Sequence, residues 1–460
     1  MQRLVQWVAW ELQHFWKGAD ACLIHLFPEA SPHKICLLYG NIGLTYQELL
    51  RQTDDLACRL ATKINKGDKV LLKLASPLSQ LLYFFAILKA GGSCVFIAAS
   101  TPQEVCASLL ATHKLNWLIR EDTPLPPGKA QSLPEINKED LFLGALTSGS
   151  TGIPKLIWRD HQSWTNAFSS QSAVFGLSGT SILYLTGSLS YTANLNACLH
   201  LLAEGGTVVF ATSSMPRTWL SEIRSRRVNA FFMVPANYRM LVRHLRAPLP
   251  QMQSVVTCGA KLDITTLQQL IHFFPAAAIC EYYGASELGH VTYATADDLL
   301  KHPASVGRAF PQVSVSVRNG EIWVKSPYLA PAYLPEASVG DLGRLDQEGY
   351  LYLSGRRDTV INTGGIKVIP EQVESILLQC PNIAEAVVGG IADPLRGEKI
   401  CAWVVKKEAS LTAAAIVSYC HKNLRPQECP HKIIFLDKLP LNTNGKVDRM
   451  SLKKGSHFTL

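Results

Sequence analysis

At 460 residues the chain is longer than a single hydrophobic core usually serves, and 47% hydrophobic against 17% charged residues excludes a disordered protein. The net charge of +8 is mild, and apart from Arg224-Ser225-Arg226-Arg227 the cations are spread out, so no nucleic-acid footprint forms; the balance suits polyphosphate ligands or plain solubility. Twelve cysteines include no C-x-x-C pair and no His/Cys grouping at metal-ligand spacing, which argues against a disulfide framework and implies a reducing cytoplasm.

In chain order, Leu4, Val5, Val8, Leu12, Phe15 and Trp16 fall at helical spacing with polar residues between them. That spacing predicts an amphipathic helix packed on the body, neither a signal peptide nor a membrane span. Short β-rich runs then alternate with helical ones up to about residue 357. Val70 to Leu74 precedes a helix from Ser79 to Ala90 and a strand from Ser93 to Ile97. Thr207 to Phe210 likewise precedes a helix from Trp219 to Arg227 and a strand from Ala230 to Val234. The rhythm predicts βαβ units and largely parallel sheets. Val313, Val315 and Val317 alternate before an Asn319-Gly320 turn and Glu321-Ile322-Trp323-Val324, the pattern of a hairpin. From Thr359 onward a compact β/α unit follows, with a helix from Pro370 to Gln379 and a strand from Ile400 to Lys406.

Within this frame, Ser148-Gly149-Ser150-Thr151-Gly152-Ile153-Pro154-Lys155 is built to hold phosphate. Two glycines let backbone N–H groups turn toward an anion, the hydroxyls add donors, and Lys155 adds charge. A Walker loop would place its lysine at the start of a helix and follow it with Ser or Thr. Here Pro154 precedes the lysine and Leu156-Ile157-Trp158 follow it, while Leu141 to Leu146 is a second apolar run upstream. The loop is therefore expected to join two strands.

Further segments recur in order along the chain: Leu88-Lys89-Ala90-Gly91-Gly92, Tyr283-Gly284-Ala285-Ser286-Glu287, Ser305-Val306-Gly307-Arg308, Gly340-Asp341-Leu342-Gly343, Gly355-Arg356-Arg357-Asp358 and Pro440-Leu441-Asn442-Thr443-Asn444-Gly445-Lys446-Val447-Asp448-Arg449. Together with the phosphate loop they resemble the adenylate-forming superfamily, which comprises acyl- and aryl-CoA synthetases, peptide-synthetase adenylation domains and luciferases. The likeness is strongest to stand-alone acyl or aryl acid–CoA ligases. It implies an α/β fold with a large domain over 1–357 made of βαβ-type sheets plus a β-barrel-like subdomain. A small mobile α+β domain over 358–460 would carry the catalytic lysine.

The resemblance also implies a reaction: a carboxylic acid and ATP give an acyl-adenylate and pyrophosphate, and the acyl group then passes to a thiol. Ser148, Gly149, Ser150, Thr151, Gly152 and Lys155 would bind the ATP phosphates. Glu287 would hold Mg²⁺, with Ser286 touching phosphate oxygens. Tyr283 would stack on adenine, and Gly284 would let the base approach. Asp341 would accept from the ribose hydroxyls, and Arg356 would reach the ribose or phosphate. Lys446 would bridge the acid to the α-phosphate, Asp358 would serve as hinge, and Gly364 and Gly365 would border the thiol channel. His161 matches a family histidine, and a helix-start role serves equally well.

For the acid, the resemblance points to Leu185 to Asn196 and to the turn at Cys258-Gly259, with Ser190, Tyr191 and Gly259 lining the pocket. The first segment holds no carboxylate to pair an α-ammonium, so an uncharged aryl or acyl acid is expected. Coenzyme A is the expected acceptor. A separate phosphopantetheinyl carrier protein is the alternative, and a catalytically silent homologue is disfavoured because Lys155, Glu287, Asp341, Arg356 and Lys446 are all present.

Overall fold

The structure is a computed structural model that describes residues 22–23, 32–130, 132–147, 154–440 and 447–455. The amphipathic helix expected at the N-terminus lies outside the described residues. The largest sheet has nine strands. Six of them, Ala278–Ala285, Ser254–Cys258, Ala230–Met233, Ile182–Leu185, Thr207–Phe210 and Ile35–Tyr39, lie side by side and pair in parallel. Their sequences explain the arrangement: Thr207–Phe210, Ala230–Met233 and Ser254–Cys258 are buried at every position, as strands covered on both faces must be. A second, five-stranded sheet runs in the order Trp117–Arg120, Lys69–Lys73, Ser93–Phe96, Leu141–Thr147, Lys155–Asp160. Its last two strands pair antiparallel, with Thr147 opposite Lys155, so the phosphate loop does join two strands.

One core binds the two sheets together. The helix Pro77–Lys89 buries Leu78, Leu81, Phe84, Phe85, Ile87 and Leu88, apolar around most of its circumference because both sheets cover it. The neighbouring helix Tyr46–Leu60 is amphipathic instead and starts at a capping box, in which Thr45 and Glu48 satisfy each other's backbone N–H groups. Helices Pro77–Lys89, Pro216–Ser225 and Pro235–Val242 all begin with proline, where the missing N–H costs nothing.

The barrel-like subdomain takes the form of a four-stranded antiparallel sheet of Ser314–Arg318, Glu321–Lys325, Asp341–Leu345 and Leu351–Arg356. Its first hairpin turns at Asn319 and Gly320, both at positive φ, as the sequence predicts. A 3₁₀ turn at Arg357–Thr359 leads to the last sheet. There the long strands Ile383–Asp393 and Gly397–Lys406 pair, flanked by Ile361–Thr363, Ile366–Val368 and Lys432–Leu436, with helices Pro370–Gln379 and Ala413–Asn423 packed on them. The chain is thus a mixed α/β protein with a large N-terminal and a small C-terminal domain. All twelve cysteines are free thiols, and only Cys58 among them is not buried. Among the described residues no helix is long and apolar enough to cross a membrane.

Gly307 shows how tightly neighbouring strands meet. It sits at φ +92°, and a Cβ there would lie 1.8 Å from the Tyr293 carbonyl oxygen of the neighbouring strand. Gly307→Ala is expected to destabilise the protein by about 3 kcal/mol, because both the backbone angle and the strand must yield. Chemical denaturation checks this; an unchanged midpoint would show that the strands can separate freely here.

Candidate active site

A cavity of about 150 Å³ lies at the carboxyl ends of the parallel strands, where ligands collect in open α/β sheets. Tyr191 follows the strand Ile182–Leu185, Cys258 and Gly259 end the strand Ser254–Cys258, and Tyr282, Gly284 and Ser286 come from the end of Ala278–Ala285. The second sheet closes the other side with Ala145 and Arg159, and the short helix after it adds Trp164. Among the described residues, no Asp or Glu lines this cavity.

Arg159 is the strongest structural feature of the wall. It is 2% exposed and forms no ion pair with a carboxylate among the described residues. Its guanidinium donates to Ser286 O (2.7 Å), Tyr328 O (2.6 Å), Ser163 O (2.8 Å) and Ser163 Oγ (3.1 Å). Burial pulls its pKa down to about 10, so it stays charged at neutral pH. One buried cation thereby ties the strand after the phosphate loop to the Tyr-Gly-Ala-Ser-Glu segment. The sequence carried a signal for it, a lone Arg after Leu156-Ile157-Trp158 in a buried strand, and reading for motifs passed over it.

Around the Ser286 end the polar groups gather. The Tyr283 hydroxyl donates to Asp341 Oδ2 (2.5 Å), and Arg356 Nε donates to Asp341 Oδ1 (2.7 Å). Burial and Asp341 push the Tyr283 phenol well up. Burial pulls the Arg356 guanidinium down, but Asp341 outweighs it, with help from Asp358 and Glu287, and the net shift is upward. Each Asp341 oxygen keeps one acceptor position, which suits a cis-diol. Lys155 is exposed; its ammonium donates to the Tyr333 hydroxyl (2.8 Å) and lies 5.5 Å from that ring's centroid. Tyr333 and, more distantly, Glu287 raise its pKa. Tyr333 belongs to a 3₁₀ turn distant in sequence, and nothing local marked it.

Glu287 is half-buried, its backbone carbonyl accepts from Ala330 N (2.8 Å), and its carboxylate makes no hydrogen bond or ion pair among the described residues. A hard, unpartnered carboxylate within the field of Lys155, Arg159 and Arg356 fits a Mg²⁺ ion shared with phosphate oxygens. Among the described residues no group of three or more His, Cys, Asp or Glu stands ready to hold a metal without such help. Ser286 Oγ lies 3.3 Å from Thr192 Oγ1. Gly284 has a structural reason for lacking a side chain, since a Cβ there would lie 2.3 Å from the Gly289 carbonyl oxygen.

Other expected residues are placed less directly. Ser148, Gly149, Ser150, Thr151, Gly152 and Lys446 lie outside the described residues. Three positions beyond Lys446, Arg449 donates to Val388 O (2.6 Å) and Glu374 (2.7 Å), fastening that end of the motif to the last sheet and its helix. Tyr191 and Gly259 line the cavity; Ser190 does not, and bonds Ser188 Oγ at 2.9 Å instead. Tyr191 is the cap of the helix Thr192–Ala203, and in the loop before it the Ser190 N–H also donates to Ser188 Oγ (3.1 Å). Gly364 and Gly365, at φ +60° and +87°, form the two-residue turn between Thr363 and Ile366 and do not border the cavity. Asp358 is exposed in its 3₁₀ turn. His161 opens a short helix, is 1% exposed and accepts from Leu23 N (3.3 Å), a structural position.

The fold and this site, with cationic and acidic groups gathered beside a pocket whose described lining holds no carboxylate, define the frame of an enzyme. Residues 26–334 match the model of the AMP-binding enzyme family, and residues 372–446 match the AMP-binding enzyme C-terminal domain. The chain belongs to the AMP-binding enzyme family, as an AMP-forming acid–thiol ligase of the acyl-CoA synthetase type. It is 28% identical to an uncharacterised acyl-CoA ligase of Bacillus subtilis, covering 93% of this chain and 96% of that one. It is 30% identical to a long-chain-fatty-acid–CoA ligase of Mycobacterium tuberculosis, over 90% of this chain and 93% of the relative. In fold it is similar to o-succinylbenzoate CoA synthetase from Bacillus subtilis, with a TM-score of 0.84 at 21% identity over 95% and 98% of the two chains.

Two histidines near the cavity give a pH signature. Burial pulls both His200 and His290 from 6.5 down to about 3, so the folded protein keeps them neutral. Between those values the unfolded chain binds more protons, so stability is full above pH 6.5 and falls as the pH drops toward 3. Each contributes a slope of about 1.4 kcal/mol per pH unit in that window. Denaturation measured from pH 7 to pH 4 should show this decline, and His200→Gln should flatten it by about one histidine's share. An unchanged slope in that variant would show that His200 titrates normally.

Proposed function

We propose that this chain activates an acid whose only charge is its reacting carboxylate, using ATP, and passes the acyl group to coenzyme A. The observation that carries the reading is a cavity without carboxylates, walled by a buried cation, whose Ser286 end adjoins Lys155, Glu287 and the Tyr283–Asp341–Arg356 cluster. Relatives named as acyl-CoA ligases support it.

Attack of a carboxylate on a phosphate brings two anions together, so cations and donors must be arranged beforehand. Lys155 and the loop from Ser148 to Gly152 bind the β- and γ-phosphates and steady the departing pyrophosphate. Glu287 would hold Mg²⁺, which would supply positive charge against the phosphates. Asp341, oriented by Tyr283 and Arg356, takes the ribose hydroxyls, while the Tyr283 ring borders the base. Lys446, a flexible ammonium, bridges the acid and the α-phosphate during adenylation. The small domain, from 358 onward, then turns about Asp358, withdraws Lys446 and brings the Gly364-Gly365 turn to the thiol.

Two outcomes test this. Lys446→Ala should abolish acid-dependent ATP–pyrophosphate exchange yet still convert supplied acyl-adenylate to thioester at close to the normal rate; equal loss in both half-reactions would remove the division of labour. Coenzyme A compared with a phosphopantetheinyl carrier protein in the second half-reaction identifies the acceptor. An α-ammonium group would meet no carboxylate in the cavity and would face Arg159, at a cost of several kcal/mol, or roughly a hundredfold or more in selectivity. Simple aryl or medium-chain acids should therefore support exchange and α-amino acids should not. Exchange with any α-amino acid that matches the best simple acid would overturn the assignment.

A further inference from the structure

Behind the main cavity lies a second one of about 10 Å³, and Asn196, Tyr282 and His290 border both. Most of its wall is apolar, from Phe175, Leu183 and Phe232. Polar side chains interrupt that wall. Gln171 Nε2 and His290 Nε2 are buried without a hydrogen-bond partner among the described residues, in side chains that are 1% and 5% exposed. Buried polar groups are costly unless paired, so two of them lining one small space mark a place where a partner belongs. His200 lines the same space: its Nε2 lies 2.8 Å from Ser172 Oγ, and its Nδ1 is a third buried atom without a hydrogen-bond partner among the described residues.

Size and charge restrict the occupant. The space admits about one water-sized group. His290 is neutral at physiological pH because burial suppresses its protonation, and Gln171 is neutral by nature. Arg159 spends four hydrogen bonds on protein oxygens. A carboxylate tail would find no free cation among these groups, whereas one hydroxyl or carbonyl oxygen suits an amide and an imidazole.

We propose that this second cavity is the specificity end of the acid site, taking one uncharged oxygen carried by the acid at the end away from its reacting carboxylate, with Gln171 and His290 as partners. The inference rests on reading the main cavity as the acid pocket. A site built to hydrogen-bond a substrate oxygen rejects the analogue that lacks it, because its own polar groups are then left unpaired. A trapped water would satisfy the same atoms but would be indifferent to the tail of the acid.

The test compares matched acids on the full-length protein by calorimetry: 4-hydroxybenzoate against 4-methylbenzoate, and a terminally hydroxylated medium-chain acid against its methyl-terminated counterpart. In at least one pair the oxygen-bearing member should bind about tenfold more tightly or better. Gln171→Leu and His290→Leu should each bring that ratio to one or reverse it, and His290→Gln should retain part of it. Equal or better binding of the methyl member in both pairs overturns the inference, and so does a ratio that survives both Leu variants. If a Leu variant fails to fold, the wild-type ratio and His290→Gln decide. Pyrophosphate exchange run in parallel separates the two readings. Oxygen-selective binding without exchange for any acid keeps this inference and removes the ligase reading; exchange without oxygen preference does the reverse. Binding of none of the acids overturns this inference.

Discussion

The buried guanidinium of Arg159 is the contact on which the rest of the site depends. A desolvated cation is tolerated only when its N–H groups are satisfied, and here backbone carbonyls and one hydroxyl do this without a paired carboxylate. The acceptors belong to separate parts of the chain: the helix start at Ser163, the turn at Ser286 and the segment at Tyr328. Their spacing is therefore set by the planar fork of one side chain. Ser286 immediately precedes Glu287, so the carboxylate proposed to hold Mg²⁺ is placed by a residue in the strand that follows the phosphate loop. Two sequence motifs more than a hundred positions apart meet through a residue that belongs to neither.

Much of this was legible in the sequence where the cause is local. The continuous apolar runs at Thr207–Phe210 and Ala230–Met233 announce strands covered on both faces, and the structure places them side by side with Ile182–Leu185 in the parallel sheet. Asn319-Gly320 dictates its hairpin because both residues tolerate positive φ. The α/β class and the flanking strands of the phosphate loop follow from the same kind of pattern. What the sequence hid is long-range. Tyr333 beside Lys155 and Tyr328 beside Arg159 are products of tertiary packing, with no periodicity to reveal them. In the turn before the helix Thr192–Ala203, Tyr191 and not Ser190 lines the cavity, a difference set by the turn's local geometry. Gly284 is instructive in another way: its lack of a side chain is visible in sequence, but the Gly289 carbonyl that would collide with a Cβ is visible only in the folded strand pair.

The charged groups fall into two kinds, and the difference bears on the proposed chemistry. Arg159 is saturated, buried and fixed. Lys155, in contrast, is exposed and, among the described residues, its ammonium is held by the neutral hydroxyl of Tyr333, a bond of modest net worth that a phosphate oxygen can replace at little cost. Among the described residues Glu287 keeps its carboxylate free of any cation at bonding distance, so no salt bridge there needs to be displaced for a metal ion to reach it. Asp341 stands between these extremes, with both oxygens engaged by Tyr283 and Arg356, and its orientation is thereby set before a ribose arrives. An adenylating site must meet phosphate charge that moves from ATP to pyrophosphate within one turnover. In the proposed reaction, weakly partnered Lys155 and Glu287 would follow that charge, while Arg159 and Asp341 hold the frame. The same logic extends to the acid end, where neutral Gln171 and His290 select by hydrogen bonding and leave the charge balance of the reacting end undisturbed.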